Sequence, residues 1–465
     1  MEAAWKEQVT CGTVNMKLCL LILASFVTAV MAKGPPLFLP PQAKVPDSVL
    51  NKFMEKAALK KTCVPALQEV PKGATSFEIG GVTVNMVDLR PKDIFSPGAE
   101  VIIDGVKQSP KVYVYSPPGE PWIRVVLDDS MDLIAASAHV PNGEEVDLVR
   151  VSGTTFAEVK TDDIDPDMIS DYELGMEDSL EIGTRRNLRQ RLQHQNMRQL
   201  STLTAGPICT QTAKASMYVI ADSDFVQDAK DECDICNVTD NKKAEAAIQM
   251  IFDDVKDVYI RDLCVDLSLK GYFIVTDKDN DDYKNMRESS TNICGGSGYL
   301  IHSFRTYTKN TFDPSGGDRT FLHLFYGAPN ATGSRTIGCA YTKAMCNTEW
   351  GVAVNEASYR GLYSSSAILK RNIVAHETGH LCGMNHTTDM MADGISSSNP
   401  AEYFGSVSIE QGIRCLNGIG CDNSCFTISD PTPVTTTTTT SMYHASCLDM
   451  LTGWLLDHTY IVFLP

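Results

Sequence analysis

Five residues, His376-Glu377-Thr378-Gly379-His380, carry the clearest chemical signal in the chain. Each residue of a helix turns about 100°, so His376 and His380 leave one face roughly one turn apart. Two imidazoles so placed can reach a single zinc ion, and Glu377 stands beside them as a general base. Gly383 tolerates a positive φ, which lets the helix stop and the chain turn back sharply. His386 can then come up as a third nitrogen ligand. Three protein ligands leave the fourth position of a tetrahedral zinc site to water, the coordination of a catalytic site and not of a structural one.

A five-residue pattern can arise by chance, but here it extends to H-E-x-x-H-x-x-G-x-x-H and is followed by Asp389-Met390-Met391-Ala392, where a methionine turn is expected. Together these form the metzincin signature among zinc-peptidase motifs. On these residues the chain resembles a metzincin metalloendopeptidase, and most of all the reprolysin (adamalysin, ADAM-type) branch. Gly383-Met384-Asn385-His386 is similar to that branch's G-M-x-H, and Gly338-Cys339-Ala340-Tyr341 with Cys346 to its G-x-A-Y…C segment. The resemblance covers roughly Lys214 to Cys425. Alignment with the branch makes Met391 the Met-turn residue, with Met390 adjacent. One position departs: reprolysins usually carry Asp directly after the third histidine, and this chain has Thr387.

The implied reaction is hydrolysis of peptide bonds in proteins, with Zn2+ on His376, His380 and His386, a zinc-bound water as nucleophile, and Glu377 passing its proton to the leaving amine. Met391 would be an apolar floor beneath the imidazoles and not a ligand. Asp393 stands where some metzincins carry a Tyr that swings onto the metal, so oxyanion stabilisation would rest mainly on zinc. A catalytically silent secreted binding module of the same fold is the rival from another class. Such modules usually lose the base or a ligand, and this chain keeps all four residues. A matrixin-like branch is the rival within the class.

The elements that must position these residues read as an α/β (α+β) metzincin-like protease domain, with a twisted mixed sheet and an active-site helix, preceded by a β-rich propeptide. Lys214–Asp222 reads as a buried first strand, and Ala244–Ile260 as a helix with Ala247, Ile248, Ile251, Val255 and Ile260 on its apolar side. Cys264–Leu269 and Gly271–Val275 are strand candidates, and Ile301–Tyr307 and Thr320–Tyr326 continue the βα alternation. By resemblance, the last of these would be the edge strand along which an extended substrate pairs. His323 within it is expected to be an ordinary strand residue. Ser364-Ser365-Ser366 should cap the motif helix, whose apolar side holds Ile368, Leu369, Ile373 and Val374. Ser408-Ile409-Glu410-Gln411 has the form of a capping box opening a last helix.

The whole chain has 465 residues, room for two or three domains, and a net charge of −18. That charge argues against nucleic acid as a main partner, because phosphate recognition needs a basic patch. Fifteen cysteines suit a secreted protein. Eleven of them lie between Cys209 and Cys425, an odd number, so one is free or pairs outside. The resemblance implies that Cys346 pairs with Cys415, Cys421 or Cys425. Cys233 and Cys236 read as halves of structural disulfides. Sequons at Asn237 and Asn330 fit export and glycosylation. Asn385-His386-Thr387 is also a sequon, expected to stay bare because its loop must pack beneath the metal.

Residues 1–32 read as a signal peptide whose translation starts at Met16, with the apolar run Leu18–Val27 and small residues Val30 and Ala32 before the cut. No transmembrane span is expected, and the destination is extracellular. Residues 33–200 form the β-rich propeptide, with strands at Val112–Tyr115, Ile123–Leu127 and Val146–Val151 between turn residues. An acidic run, Asp162 to Glu181, gives way to basic Arg185–Arg191. Arg186 and Arg189 there match the minimal pattern of a furin-like convertase, so the chain reads as a zymogen. Cys63, the lone cysteine of the propeptide, offers a thiolate that would displace the catalytic water, although it lies far upstream of the cut and simple steric cover is the stronger expectation. The protease domain spans 205–428, a Pro/Thr-rich linker 429–441, and 442–465 is an unassigned tail.

Overall fold

The computed structural model describes residues 45–56, 65–139, 145–160, 174–175, 212–231, 241–295, 297–311, 321–327, 337–357, 367–392, 394–395 and 403–429. The signal segment, Cys63, Cys233, Cys236, the sequons at Asn237 and Asn330, Ser364–Ser366, Arg186, Arg189, Asp393, the linker beyond 429 and the tail all lie outside these residues.

Two sheets dominate. The first is built from β1 (Ala66–Glu69), β4 (Arg90–Pro91), β7 (Val112–Ser116), β8 (Ile123–Asp128), β9 (Leu133–His139), β10 (Glu145–Ser152) and β11 (Thr155–Lys160), in the order β1-β11-β10-β9-β8-β7-β4. Its pairings are antiparallel, and the three strands expected in this region are all present. Side chains alternate between two buried faces. Ile123, Val125 and Leu127 pack against Phe77, Ile79 and Val84 of the hairpin β2 (Ser76–Ile79) and β3 (Val82–Asn85). Val112, Val114, Val126 and Ile134 join the main core on the other side.

The second sheet runs β16 (Gly338–Ala340), β17 (Val352–Glu356), β15 (Phe321–Tyr326), β13 (Thr212–Ala221), β14 (Val265–Ile274), β5 (Phe95–Ile103), β6 (Val106–Gln108), with β19 (Thr427–Ser429) pairing the start of β13. β13, β14, β15 and β17 are mutually parallel and β16 is antiparallel, so the sheet is mixed. The two segments read separately at 264–269 and 271–275 are one strand, with a register shift between Leu269 and Gly271 opposite β5. A Cβ at Gly271 would sit 2.2 Å from the Glu100 carbonyl oxygen, so the residue is glycine because another backbone runs against it. Two strands from the N-terminal region therefore complete the sheet of the C-terminal region.

Helices cover this sheet: α2 (Ser223–Asp231), α3 (Lys242–Leu263), α4 (Asp282–Ser289), α5 (Leu300–Thr311), α6 (Ala367–Leu381) and α7 (Ser406–Leu416), while α1 (Asp47–Lys56) stands ahead of the first sheet. α3 is buried on nearly every side, with Ile248, Ile251 and Val255 inside as expected, but Ala247 is only half-buried, Ile260 is exposed and Tyr259 takes the inward position. It lies between β14 on one side and β7, β8 and β9 on the other, and it also packs along α6. Its second covered face is lined by acids. Asp253 accepts from Lys92 Nζ at 2.6 Å and Arg124 Nε at 2.8 Å, and Asp254 pairs with Arg124 at 2.9 Å. Burial works against the charge on Arg124, but Asp254, Asp253 and Asp257 outweigh it and hold the guanidinium above its ordinary pKa.

Glu356, at the end of β17, is a buried acid whose pKa rises from 4.5 to about 8, because desolvation and Asp228 outweigh Arg287. The folded state keeps a proton that the unfolded state gives up, so stability falls as pH rises from about 4.5 to about 8. Glu356→Gln should flatten that part of the stability-pH curve and raise Tm at pH 8 by a few degrees, on the order of 1 kcal/mol. Thermal melts of both proteins from pH 5 to 8 check this; parallel curves would contradict it.

Candidate metal centre and active site

α6 presents His376 and His380 one turn apart, and the segment after it returns His386 to the same point. His380 Nε2 lies 3.0 Å from His376 Nε2 and 3.1 Å from His386 Nε2. The return is made at Gly383, whose φ is +84°. There Met384 N–H donates to Gly379 O at 2.9 Å and Gly383 N–H to His380 O at 2.8 Å, the paired 6→1 and 5→2 bonds of a left-handed helix ending.

The imidazole tautomers follow from their outer partners. His376 Nδ1 faces the Met390 carbonyl and His380 Nδ1 the Met384 carbonyl, both at 2.9 Å. A carbonyl oxygen only accepts, so both Nδ1 atoms carry the proton and both Nε2 atoms turn lone pairs inward. Burial, then His380 and His386, holds the His376 pKa well below its ordinary value, which keeps the ring neutral. Three imidazole nitrogens within 4.8 Å of one another are a cluster that could hold a metal ion, and among the described residues no other such group occurs. This donor set fits zinc.

Glu377, next to the first histidine, is 1 % exposed, and its Oε2 has no hydrogen-bond partner. Burial pushes its pKa well above the ordinary value, so the carboxyl is primed to hold a proton. Its other oxygen rests against Gly338, where a Cβ would come within 2.3 Å. That contact explains the glycine at the start of β16. In Gly338→Ala the added methyl must displace the Glu377 carboxyl, and peptidase turnover should fall at least about ten-fold, since positioning of a proton-transfer group is worth that much. Kinetics alongside zinc content check this: unchanged kcat would show that the Glu377 position does not matter.

The floor of the site comes from the turn after His386. Met391 is fully buried, and its Sδ would lie 2.5 Å from a Cβ on Gly379, so Gly379 is the close approach of the motif helix to that side chain. Met390 contributes its carbonyl to His376 instead. Thr387 stands where the related branch has Asp, and a carboxylate two residues further on supplies the missing acceptor. Asp389 takes the Ser408 hydroxyl at 3.0 Å on both oxygens and the Met391 N–H at 2.9 Å. Thr387 Oγ1 contacts the same Ser408 hydroxyl at 3.1 Å. Ser408 therefore serves this turn and not a capping box: α7 begins at Ser406, with Gly405 at the cap and no side-chain cap bond. Asp389 was not singled out from the sequence, and a carboxylate near the missing Asp was its only signal.

His323 lies within β15, buried, with its pKa pushed down to about 3 by burial. Asn355 Nδ2 donates to its Nδ1 at 2.7 Å, leaving Nε2–H to donate to Thr378 Oγ1 at 3.2 Å, which in turn donates to Val374 O. Both ring nitrogens thus have protein partners, and the ring buttresses the motif helix.

The edge strand differs from the expectation. β15 is buried at every residue and sits between β13 and β17, so it is central. The edge is β16, antiparallel to β17. Glu356 N–H donates to Ile337 O at 2.7 Å, so Ile337 and Cys339 turn their peptide groups inward while Gly338 and Ala340 turn theirs to the open side. Disulfides fasten the surroundings: Cys294–Cys339 holds β16, Cys346 pairs with Cys425 within the expected set, and Cys415 pairs with Cys421. Cys382, just past the motif helix, is the free and buried cysteine among the described residues. Asn385 is exposed, with its N–H donating to Gln411 Oε1, so close packing does not shield that sequon and the reason for expecting it bare is gone.

Fold and site define a metallopeptidase: a mixed α/β domain with a histidine triad on and after one helix, preceded by a β-rich region. Residues 211–425 match the model of Reprolysin_5, described as metallo-peptidase family M12, and that segment is a metzincin-like, reprolysin-type domain of this family. The chain is also similar to the crystal structure of metalloproteinase-II from Bacteroides fragilis, at 12 % identity over 76 % of this chain and 92 % of that one, with a TM-score of 0.38. Among the described residues no helix is long and apolar enough to cross a membrane.

Proposed function

We propose that the chain is a secreted zinc endopeptidase that cuts extended protein segments and is made as a zymogen. The observation that carries this reading is the convergence of three Nε2 atoms beside the unpartnered carboxylate oxygen of Glu377. His376, His380 and His386 would hold the metal, with Met391 as the floor beneath them. Bound zinc would polarise the scissile carbonyl and lower the pKa of water to about 7. A substrate strand laid antiparallel to β16 would bond to the outward peptide groups of Gly338 and Ala340 and bring its scissile bond to Glu377. Glu377 takes the proton from the attacking water, holds it in its buried pocket, and delivers it to the leaving nitrogen. The direct test is incubation of the zinc-loaded chain, processed near Arg189, with a peptide library and sequencing of new termini. Zinc binding without any cleavage would leave the silent binding module as the reading.

Latency has one supporting observation. β12 (Leu174–Gly175), just upstream of Arg186 and Arg189, pairs antiparallel with β18 (Gly394–Ile395), directly after the Met turn. A segment held there favours steric cover, relieved by a furin-like convertase at Arg186–Arg189. Cys63→Ala in an uncut precursor should therefore remain inactive. Activity without processing would instead make Cys63 the switch.

A further inference from the structure

Where α3 meets the N-terminal sheet its polar side chains form a seam, and two of them, Glu245 and Gln249, also share the Tyr272 hydroxyl of β14. Lys242 Nζ reaches Asp128 at 2.9 Å at one end. One turn on, Glu245 accepts the Lys111 N–H at 3.2 Å, and Gln249 Nε2 donates to Val112 O at 3.0 Å. Glu245 and Gln249 are buried. At the other end Arg124 and Lys92 meet the acids at 253, 254 and 257, and Lys256 Nζ donates to Asp93 O at 2.8 Å. Beside this seam, β5 adds residues 100–103 in register to 271–274 of β14, and Val112, Val114 and Val126 belong to the same apolar core as α3.

We propose that the N-terminal unit, residues 65–160, is a resident subunit of the enzyme and not a dissociable propeptide: after a cut between Lys160 and Thr212, both pieces stay associated along this seam. Departure would strip Asp253 of Lys92 and Arg124 and leave Asp254 with the field of Arg371 alone, and removing one partner of a buried pair costs far more than the pair contributes. Glu245 and Gln249 would lose backbone partners. β14 would become an open edge over residues 269–274. Surfaces that separate in use keep their charges in water, whereas Asp253 and Asp254 are buried. The contact also reaches the motif helix, because Arg371 on α6 lies in the field of both Asp254 and Glu145 of β10. What processing releases, on this reading, is the hold of the connecting segment and not the sheet.

The proposal rests on a cut being made but not on which enzyme makes it, nor on peptidase activity. The experiment therefore uses the full chain with residues 186–189 replaced by the recognition sequence of a site-specific protease, in the Glu377→Ala background to prevent self-digestion. After complete cutting and dilution to about 0.1 μM, both pieces should co-elute in size exclusion at the position of the uncut chain, and should separate only in denaturant. Adding Lys92→Ala, a partly exposed member of the seam, should raise the dissociation constant of the cut complex about ten-fold or more. Separation of the cut pieces in native buffer, whether the C-terminal piece then stays soluble or precipitates, overturns the proposal. A Lys92→Ala complex as tight as its parent would overturn the seam as the cause.

Discussion

Replacing Glu377 with alanine is expected to lower peptide hydrolysis by about 10²–10⁴-fold while zinc stays bound at wild-type stoichiometry. The two halves of that expectation have separate origins. The three Nε2 atoms are oriented by bonds that do not involve Glu377: His376 and His380 answer to the carbonyls of Met390 and Met384, and the return to His386 is set by the turn at Gly383. The metal centre should therefore survive the change. Proton transfer should not, because Glu377 follows the first histidine directly, and its oxygen that lacks a partner is the one poised to take a proton. Glu377→Gln preserves the volume against Gly338 and removes only the basicity, so it should lose as much activity as the alanine variant. Activity near wild type in either variant would sink the general-base assignment. Loss of zinc in Glu377→Gln would mean that the carboxylate belongs to the metal shell.

The centre was legible in the sequence because its logic is local. A four-residue spacing on one helix, a glycine that permits a positive φ and a histidine three residues beyond need no knowledge of the rest of the chain. Elements defined by distant pairing were less readable. β15 is a six-residue strand that is apolar but for His323, which suits a central strand buried on both faces better than an edge, but its place just before the motif suggested otherwise. The true edge is three residues, Gly338-Cys339-Ala340, with no β-branched side chain and no length from which to read a period. The replacement of a carboxylate after His386 by Asp389 depends on where Ser408 lies, and α7 is brought there by tertiary packing. The shared sheet was the least visible feature. Nothing in Phe95–Ile103 announces that its partner lies beyond residue 264, and Gly271 explains itself only once Glu100 is beside it.

His380 is the middle member of the triad, within 3.1 Å of both other Nε2 atoms, and His380→Ala should abolish stable metal binding and activity together. Two imidazoles without the third leave a site open on two sides, short of the three protein ligands that a catalytic zinc requires. Stability provides a readout independent of turnover. In the parent protein a bound metal would stabilise the fold by RT ln(1 + [L]/Kd), about 4 kcal/mol at a thousand-fold excess over Kd, so a chelator should lower Tm by several degrees and zinc should restore it. His380→Ala should melt at one temperature whether or not chelator is present, because it has no metal to lose. Thermal melts with and without chelator, alongside zinc counting by atomic emission, decide the matter. A variant that retains stoichiometric zinc and a chelator-sensitive Tm would show that the metal is held elsewhere.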